Sequence, residues 1–369
     1  MKGLNIGGLK LKLPIIQGGM GVCVSLANLA AAVSNQGALG VISAVGIGML
    51  EKNYRKHFKE SNLIALQKEI RKARSKTNGA IAVNIMYAVS DYEDLLQVAL
   101  QEKIDAVIIG AGLPMTPSPN LINSFTKIIL KVSSARAVKL LFQHWSEKYY
   151  RLPDAIIIEG PLAGGHLGFK KNDLIGLEPS VKFLSDIVND AIKVINIYEQ
   201  KYGMEIPVIA AGGIYSGNDM YQIMKAGAKG VKIGTRFVTT TECDVSEKFK
   251  QLYISCKKED ITIIDSPVGL PGRVITNDFV KQIQQGTTKP IKCSWKCLKT
   301  CDYKKAQFCI AQALFNAAQG NFLNGLAFIG AKGYLADKII SVKETIECII
   351  SEYLIEEKLI QKKLQLLAT

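Results

Sequence analysis

Apolar and polar positions alternate along this chain in two periods. From near the start to about residue 250, short runs of apolar and β-branched residues are separated by longer stretches in which apolar positions return every three or four residues. The short runs suit strands covered on both faces and the longer stretches suit amphipathic helices, so the order predicts parallel strands joined by crossover helices. The predicted strands are Ile15 to Gln17, Gly40 to Ser43, Ala80 to Met86, Ala106 to Ile109, Lys127 to Val132, Ala155 to Glu159, Val208 to Ala211 and Gly230 to Ile233. Helices are predicted at Ser61 to Lys76, Asp91 to Lys103, Ala135 to Tyr149, Val181 to Lys201 and Asn218 to Ala226. Gly37, Gly79, Gly203 and Gly227 fall where helices should end. The apolar stretch Val22 to Leu50 is interrupted by Ser25, Asn28, Ser34, Asn35, Gln36 and Gly37, which predicts a helix, a turn and a buried strand rather than a membrane span.

Eight strands, each followed by a connection, predict an α/β fold of the closed (β/α)8 TIM-barrel type over residues 1–241 rather than an open doubly wound sheet. After Thr241 the alternation is lost. A polar stretch, a Pro-Gly-rich loop from Ser266 to Gly272 and a cysteine cluster lead into helices at Ala306 to Ala318 and Val342 to Lys363. Residues 242–369 are therefore read as a C-terminal extension packing on the barrel. One barrel takes about 250 residues, so the 369 residues here need no second large domain. With 48% hydrophobic and 21% charged residues the chain can fill that core without long disorder.

The net charge of +14 raises the question of nucleic acid. The lysines are spread along the chain, with short runs such as Lys68 to Lys76, and no zinc-finger spacing or aromatic-and-basic platform accompanies them, which argues against it. Such a surface fits an anionic cofactor, an acidic substrate or an acidic acyl carrier protein. Met1 to Pro14 has no apolar block of signal-peptide length, so a cytoplasmic location and no membrane association are expected. Eight cysteines in that setting read as thiols or metal ligands rather than a disulfide framework.

The stretches with chemical promise all fall at the C-terminal ends of predicted strands, the face where barrel enzymes place their active sites. Pro207-Val-Ile-Ala-Ala-Gly-Gly-Ile214 runs from a strand into Gly212 and Gly213, and Gly230-Val-Lys-Ile-Gly-Thr-Arg236 runs into Gly234 and Thr235. Paired glycines let backbone N–H groups approach an anion, and the loops after strands seven and eight form the common phosphate site of this architecture. The bland alternative is that they only relieve crowding in tight turns. Glu159-Gly-Pro-Leu-Ala-Gly-Gly-His-Leu-Gly168 leaves strand six through a glycine-flanked histidine, His166. His57 and His144 lie in helix-like segments and are assigned no role. Gly18, Gly19 and Met20 end strand one and Asn84 lies near the end of strand three, residue types able to pack against a planar ring and hydrogen-bond its edge. Asn84 could equally be a satisfied buried amide.

Gln17-Gly-Gly-Met-Gly21, Val83-Asn84, Ala163-Gly-Gly-His166, Ala210-Ala-Gly-Gly213 and Ile233-Gly-Thr235 together resemble the nitronate monooxygenase (2-nitropropane dioxygenase) family of FMN barrels, which includes FMN-containing enoyl-acyl-carrier-protein reductases. The resemblance covers residues 1 to about 240 and returns in Gly269 to Asn277 and Gly320 to Glu344. It implies an FMN-dependent oxidoreductase acting on a small molecule, with flavin contacts at Met20, Asn84, Glu159, Gly164, Gly213 and the run Lys232, Ile233, Gly234, Thr235. Gly18, Gly165 and Gly212 accompany them, and the catalytic histidine falls on His166. Glu159 stands where many members have Gln, and Leu167 where the oxygenase branch commonly has Arg. Two chemistries are implied: oxidation of alkyl nitronates with dioxygen to a carbonyl compound and nitrite, or NAD(P)H-dependent reduction of an enoyl thioester with His166 stabilising the enolate oxygen. In the first, a histidine near its ordinary pKa could bind the anion or act as a base.

Cys293, Cys297, Cys301 and Cys309 enclose Trp295. On a helix the first three would share a face and could ligate an iron–sulfur cluster or zinc, although the spacing matches no standard zinc knuckle or ferredoxin run. The preferred reading is small residues packing a helix onto the barrel. Cys23, Cys243, Cys256 and Cys348 look like ordinary thiols. Two other classes compete with the oxidoreductase: a non-redox barrel enzyme acting on a phosphorylated metabolite, and a non-enzymatic flavin or metal sensor.

Overall fold

Eight apolar runs pair side by side into one parallel sheet in the computed structural model, which describes residues 1–174, 176, 182–288, 293 and 295–368. In chain order the strands are β1 (Leu4–Ile6), β2 (Leu9–Leu11), β3 (Ile15–Gln17), β4 (Gly40–Ser43), β5 (Ile81–Met86), β6 (Ala106–Gly110), β7 (Lys127–Val132), β8 (Ala155–Glu159), β9 (Gly165–His166), β10 (Val208–Ala211), β11 (Gly230–Ile233), β12 (Ile261–Asp265) and β13 (Pro271–Ile275). The large sheet runs β3-β11-β10-β8-β7-β6-β5-β4. Its two ends meet just before β4: Leu39 donates its N–H to Ile15 O at 3.0 Å and accepts from Gln17 N at 3.0 Å. Gln17, wholly buried, extends the seam with its side chain, whose Oε1 accepts from Val41 N at 2.8 Å and whose Nε2 donates to Ser25 Oγ at 2.9 Å.

The helices are α1 (Ala27–Asn35), α2 (Phe58–Arg74), α3 (Tyr92–Gln101), α4 (Pro119–Ile122), α5 (Ala135–Lys148), α6 (Lys182–Tyr202), α7 (Gly217–Lys225), α8 (Thr235–Val238), α9 (Glu247–Ile254), α10 (Asp278–Gln285), α11 (Ile310–Ala318) and α12 (Val342–Ala368). Because strand side chains alternate between faces, the barrel divides its apolar residues into two cores. Ile16, Val41, Ala82, Ile108, Ile129, Ile157 and Ile209 point inward. Leu29, Leu66, Leu96, Phe142, Trp145 and Val188 fill the layer between sheet and helices together with the outward strand residues. Trp145 is fully buried and its indole N–H is satisfied by Pro114 O at 2.8 Å.

The opening stretch is more structured than its sequence suggested. Leu4, Ile6 and Leu11 of the β1–β2 hairpin join the inner core and close the N-terminal end of the barrel, where Leu4 lies against Gly230, the first residue of β11. The opposite end stays open. Gly37, Gly203 and Gly227 follow helices with φ of 81°, 65° and 112°, as helix ends require. Gly79 does not: α2 stops at Arg74, and Gly79 is small because a Cβ there would lie 2.5 Å from Ser34 Oγ.

Beyond Thr241 the expected polar stretch contains two strands, β12 and β13, which pair antiparallel with each other and with β9. Ile261–Ile264 is β-branched, but its run is too short to stand out without its partner. α11 begins at Ile310, four residues later than expected, with Cys309 as its N-cap. α12 packs on α7, where Glu352 Oε2 accepts from Gly217 N at 2.6 Å. No helix among the described residues is long and apolar enough to cross a membrane.

Gln17→Leu keeps the volume of the seam residue but strands the buried Val41 N–H, so a loss of about 1–3 kcal/mol is expected in chemical denaturation. An unchanged denaturation midpoint would show that closure does not depend on this amide.

Candidate active site

The open end of the barrel is a cavity of about 510 Å³, within the range of small-molecule and cofactor sites. Parallel strands deliver their C-terminal residues to the same rim, so residues far apart in the chain become neighbours there. Gly18 and Met20 follow β3, Asn84 lies in β5, Lys131 in β7, Glu159 ends β8, Gly212 and Gly213 follow β10, Lys232 lies in β11 and Gly234 follows it. Gly164, Gly165, His166 and Thr235 complete the sequence-predicted set at this cavity. Ile233 does not join them: its side chain points outward into the barrel–helix core and is 1% exposed. Only its backbone serves the site, accepting from Gly18 N at 2.7 Å.

The two glycine loops differ in what they require. Gly212 and Gly213 have φ of 92° and 81°, a left-handed pair that turns the chain away from β10. A Cβ on Gly212 would lie 2.8 Å from Gly160 O, and one on Gly213 would lie 2.9 Å from Leu162 Cβ. Gly18 and Gly234 are instead pressed together, since a Cβ on Gly18 would lie 2.7 Å from Gly234 Cα. Thr235 Oγ1 accepts from Gly330 N at 3.0 Å and ties a late loop to this corner.

Charge at the rim is mainly cationic. Lys131 Nζ pairs with Glu159 Oε1 at 2.7 Å, both largely shielded. Lys232 is buried, and that burial, reinforced by the charge of Lys131 and opposed by Glu159, brings its ammonium down to about 8. Lys131 was not anticipated, although an ionisable residue within an apolar strand is a signal available in the sequence. Ser43 Oγ, also facing the cavity, is buried without a hydrogen-bond partner. A positive-φ glycine cradle, a buried cation and an orphan hydroxyl around one cavity fit a ligand with a phosphate and a polar ring.

His166 reaches the cavity through an unexpected device. β9 pairs with β13, setting His166 opposite Gly272 and Gly165 opposite Arg273. Leu167 N donates to Pro271 O at 2.9 Å while the Leu167 side chain is buried with Ala163 and Leu174. Arg273 is 4% exposed and donates to Pro161 O and Ala163 O, holding the loop before the histidine; burial lowers its guanidinium to about 10. The imidazole keeps some opening to the cavity, stacks edge-on to Phe328 with centroids 4.8 Å apart, and places Nε2 2.8 Å from Ser266 Oγ. Burial first, and then the charge of Lys131, push it down to about 4. It is therefore neutral near pH 7, not poised near its ordinary pKa as the sequence reading supposed.

All eight cysteines are free thiols. Of the four in the cluster, Cys297 reaches the cavity wall. Described residues 295–301 form a bend, a bridge at Leu298 and a turn rather than a helix, so the shared helical face does not exist.

The description "Nitronate monooxygenase" belongs to the family model that matches residues 4–352. A (3aS,4S,5R,7aS)-5-hydroxy-7a-methyl-1-oxo-octahydro-1H-indene-4-carboxyl-CoA dehydrogenase of Rhodococcus jostii is 28% identical over 275 residues; the match takes in 73% of this chain and 65% of that protein, just under two thirds of its length. A probable nitronate monooxygenase of Staphylococcus saprophyticus is 27% identical over 304 residues, covering 76% of this chain and 80% of the relative. The structure of FabK from Thermotoga maritima superposes with a TM-score of 0.75 at 28% identity, over 96% of each chain. With a family model spanning nearly the whole chain and the same barrel in a solved relative, this protein belongs to the nitronate monooxygenase family.

Proposed function

We propose that this protein is an FMN-dependent oxidoreductase that oxidises alkyl nitronates with dioxygen to a carbonyl compound and nitrite. The observation that carries this reading is a neutral His166 facing a cavity whose rim holds Lys131 and Lys232. A base near pKa 4 is poorly matched to removing a proton from a neutral nitroalkane, whereas a nitronate arrives already deprotonated and needs an anion site. Bound FMN would supply the electron-accepting ring. Gly212, Gly213, Gly234 and Thr235 would hold its phosphate, with Lys232 as counter-charge, and Gly18, Met20, Asn84, Glu159, Gly164 and Gly165 would border its ring. His166 would donate a hydrogen bond to the substrate oxygen, held in place by Ser266 and Phe328. Arg273 acts through the loop it anchors and is a positioning residue.

A second reading, an NAD(P)H-dependent enoyl-thioester reductase, is favoured by one feature. Met86, Val89, Leu113, Leu314 and Phe328 form an apolar wing of the same cavity suited to an acyl chain. The net charge of +14 would suit an acidic carrier. Anaerobic addition of NADH, NADPH and then an alkyl nitronate to the FMN-loaded protein separates the two readings. Bleaching by the nitronate alone is expected; bleaching by either nicotinamide transfers the assignment to the reductase, and a colourless protein that refuses FMN removes both.

His166→Ala should retain FMN and lose about two to three orders of magnitude in kcat, the scale for one oriented hydrogen-bond donor; equal turnover in steady-state assays would take the histidine out of the mechanism. Because Lys232 loses its proton above about pH 8, FMN affinity should fall as pH rises through that value. In fluorescence titrations Lys232→Met should bind more weakly at pH 7 and lack that step, and a step of equal size in the variant would assign it to another group.

A further inference from the structure

The cysteine cluster lies outside the reading above and stands on its own observations. After α10 the chain returns to the barrel mouth as a strap. Leu298 bridges antiparallel to Val89, Ser90 N donates to Cys297 O at 3.0 Å, and Lys299 N donates to Ala88 O at 2.8 Å. Trp295 stacks on Phe58 with centroids 4.7 Å apart. The strap then turns through Cys301 and reaches Cys309 at the start of α11.

These turns gather cysteines spread over seventeen positions, Cys293 to Cys309, into one group. Cys297 senses the charge of Cys293, Cys301 and Cys309; Cys301 senses Cys293 and Cys309; Cys309 senses Cys293, so all six pairs are in mutual electrostatic reach. Cys23 and Cys243 are buried within the core, whereas all four here are only partly buried, with Cys297, Cys301 and Cys309 packed against the core's edge. Among the described residues no three ligand-type side chains close around a single ion, which disfavours a mononuclear zinc site. A cubane cluster holds its cysteines farther apart, at its corners, and is stabilised by N–H donors to sulfur and nearby positive charge. Lys296 N donates to Cys293 Sγ at 3.4 Å, and the Lys296 and Lys299 ammonium groups are held over the Tyr303 and Tyr87 rings beside the group.

We propose that Cys293, Cys297, Cys301 and Cys309 together ligate a [4Fe–4S] cluster that fastens the strap across the barrel mouth. Cys297 also lines the cavity, so the cluster abuts the active site.

The test uses the full chain purified without oxygen, with iron, acid-labile sulfide and FMN measured on one sample. About four iron and four sulfide per chain are expected, with Fe–S stretching bands in the resonance Raman spectrum and, after dithionite, a paramagnetic signal seen only at cryogenic temperature. Cys301→Ser and Cys309→Ser should each lose more than half of the iron while keeping FMN. Protein that stays free of iron and sulfide after anaerobic reconstitution, that takes up one zinc and no sulfide, or that lacks Fe–S bands overturns the cluster. Because wild-type stoichiometry and Raman bands decide the matter, a variant that fails to fold does not. FMN content is read separately, so a cluster without flavin would refute the proposed function alone, and flavin without a cluster would refute this proposal alone.

Discussion

The seam between β3 and the residues leading into β4 is the constraint on which the site depends. A parallel sheet left open there would expose two unpaired edges and splay its strand ends. Closure through Leu39 and the Gln17 amide instead fixes the ends of all eight strands on one rim. The same seam brings the residues after β3 against those after β11, close enough that a Cβ on Gly18 would lie 2.7 Å from Gly234 Cα. Gly18, which read as a ligand contact, is thus also a condition of the barrel's closure, and the two roles are not in competition.

A second layer of order comes from the region after Thr241. β13 lends its edge to β9, and the buried Arg273 guanidinium satisfies two carbonyls of the preceding loop. A buried cation is costly, and the hydrogen bonds from Arg273 Nη1 to those two carbonyls offset part of that cost. Here that arrangement holds the one histidine at the cavity in a desolvated, neutral state. Lys131 adds to the effect through its charge, while its pairing with Glu159 limits the net charge on that wall. The rim therefore combines a neutral hydrogen-bonding group with a buried lysine, an arrangement that suits an anion more than proton abstraction.

Much of the architecture was legible because it rests on period and on residue type. All eight predicted strands coincide with observed ones to within a residue at each end, six of them without any difference, since continuous apolar runs admit few other solutions in a doubly covered sheet. The strands that escaped notice, β1, β2, β9, β12 and β13, are two to five residues long and antiparallel. Such strands carry too little pattern to be recognised without the partner that pairs them. Gly79 looked like a helix end only because the space Ser34 denies it is not visible along the chain.

By itself the sequence determined which residue types stood at the ends of the strands: Gly212, Gly213, Gly234 and His166 follow from local runs of apolar and glycine positions, because strand direction and turn chemistry are local properties. Tertiary structure alone decided what those residues are. The low pKa of His166, the contribution of Lys131, the removal of Ile233 from the cavity and the convergence of four cysteines without a helix all depend on burial and on neighbours distant in the chain. Desolvation and Coulomb interaction act through space, and no spacing along a chain encodes them until the fold has set the distances.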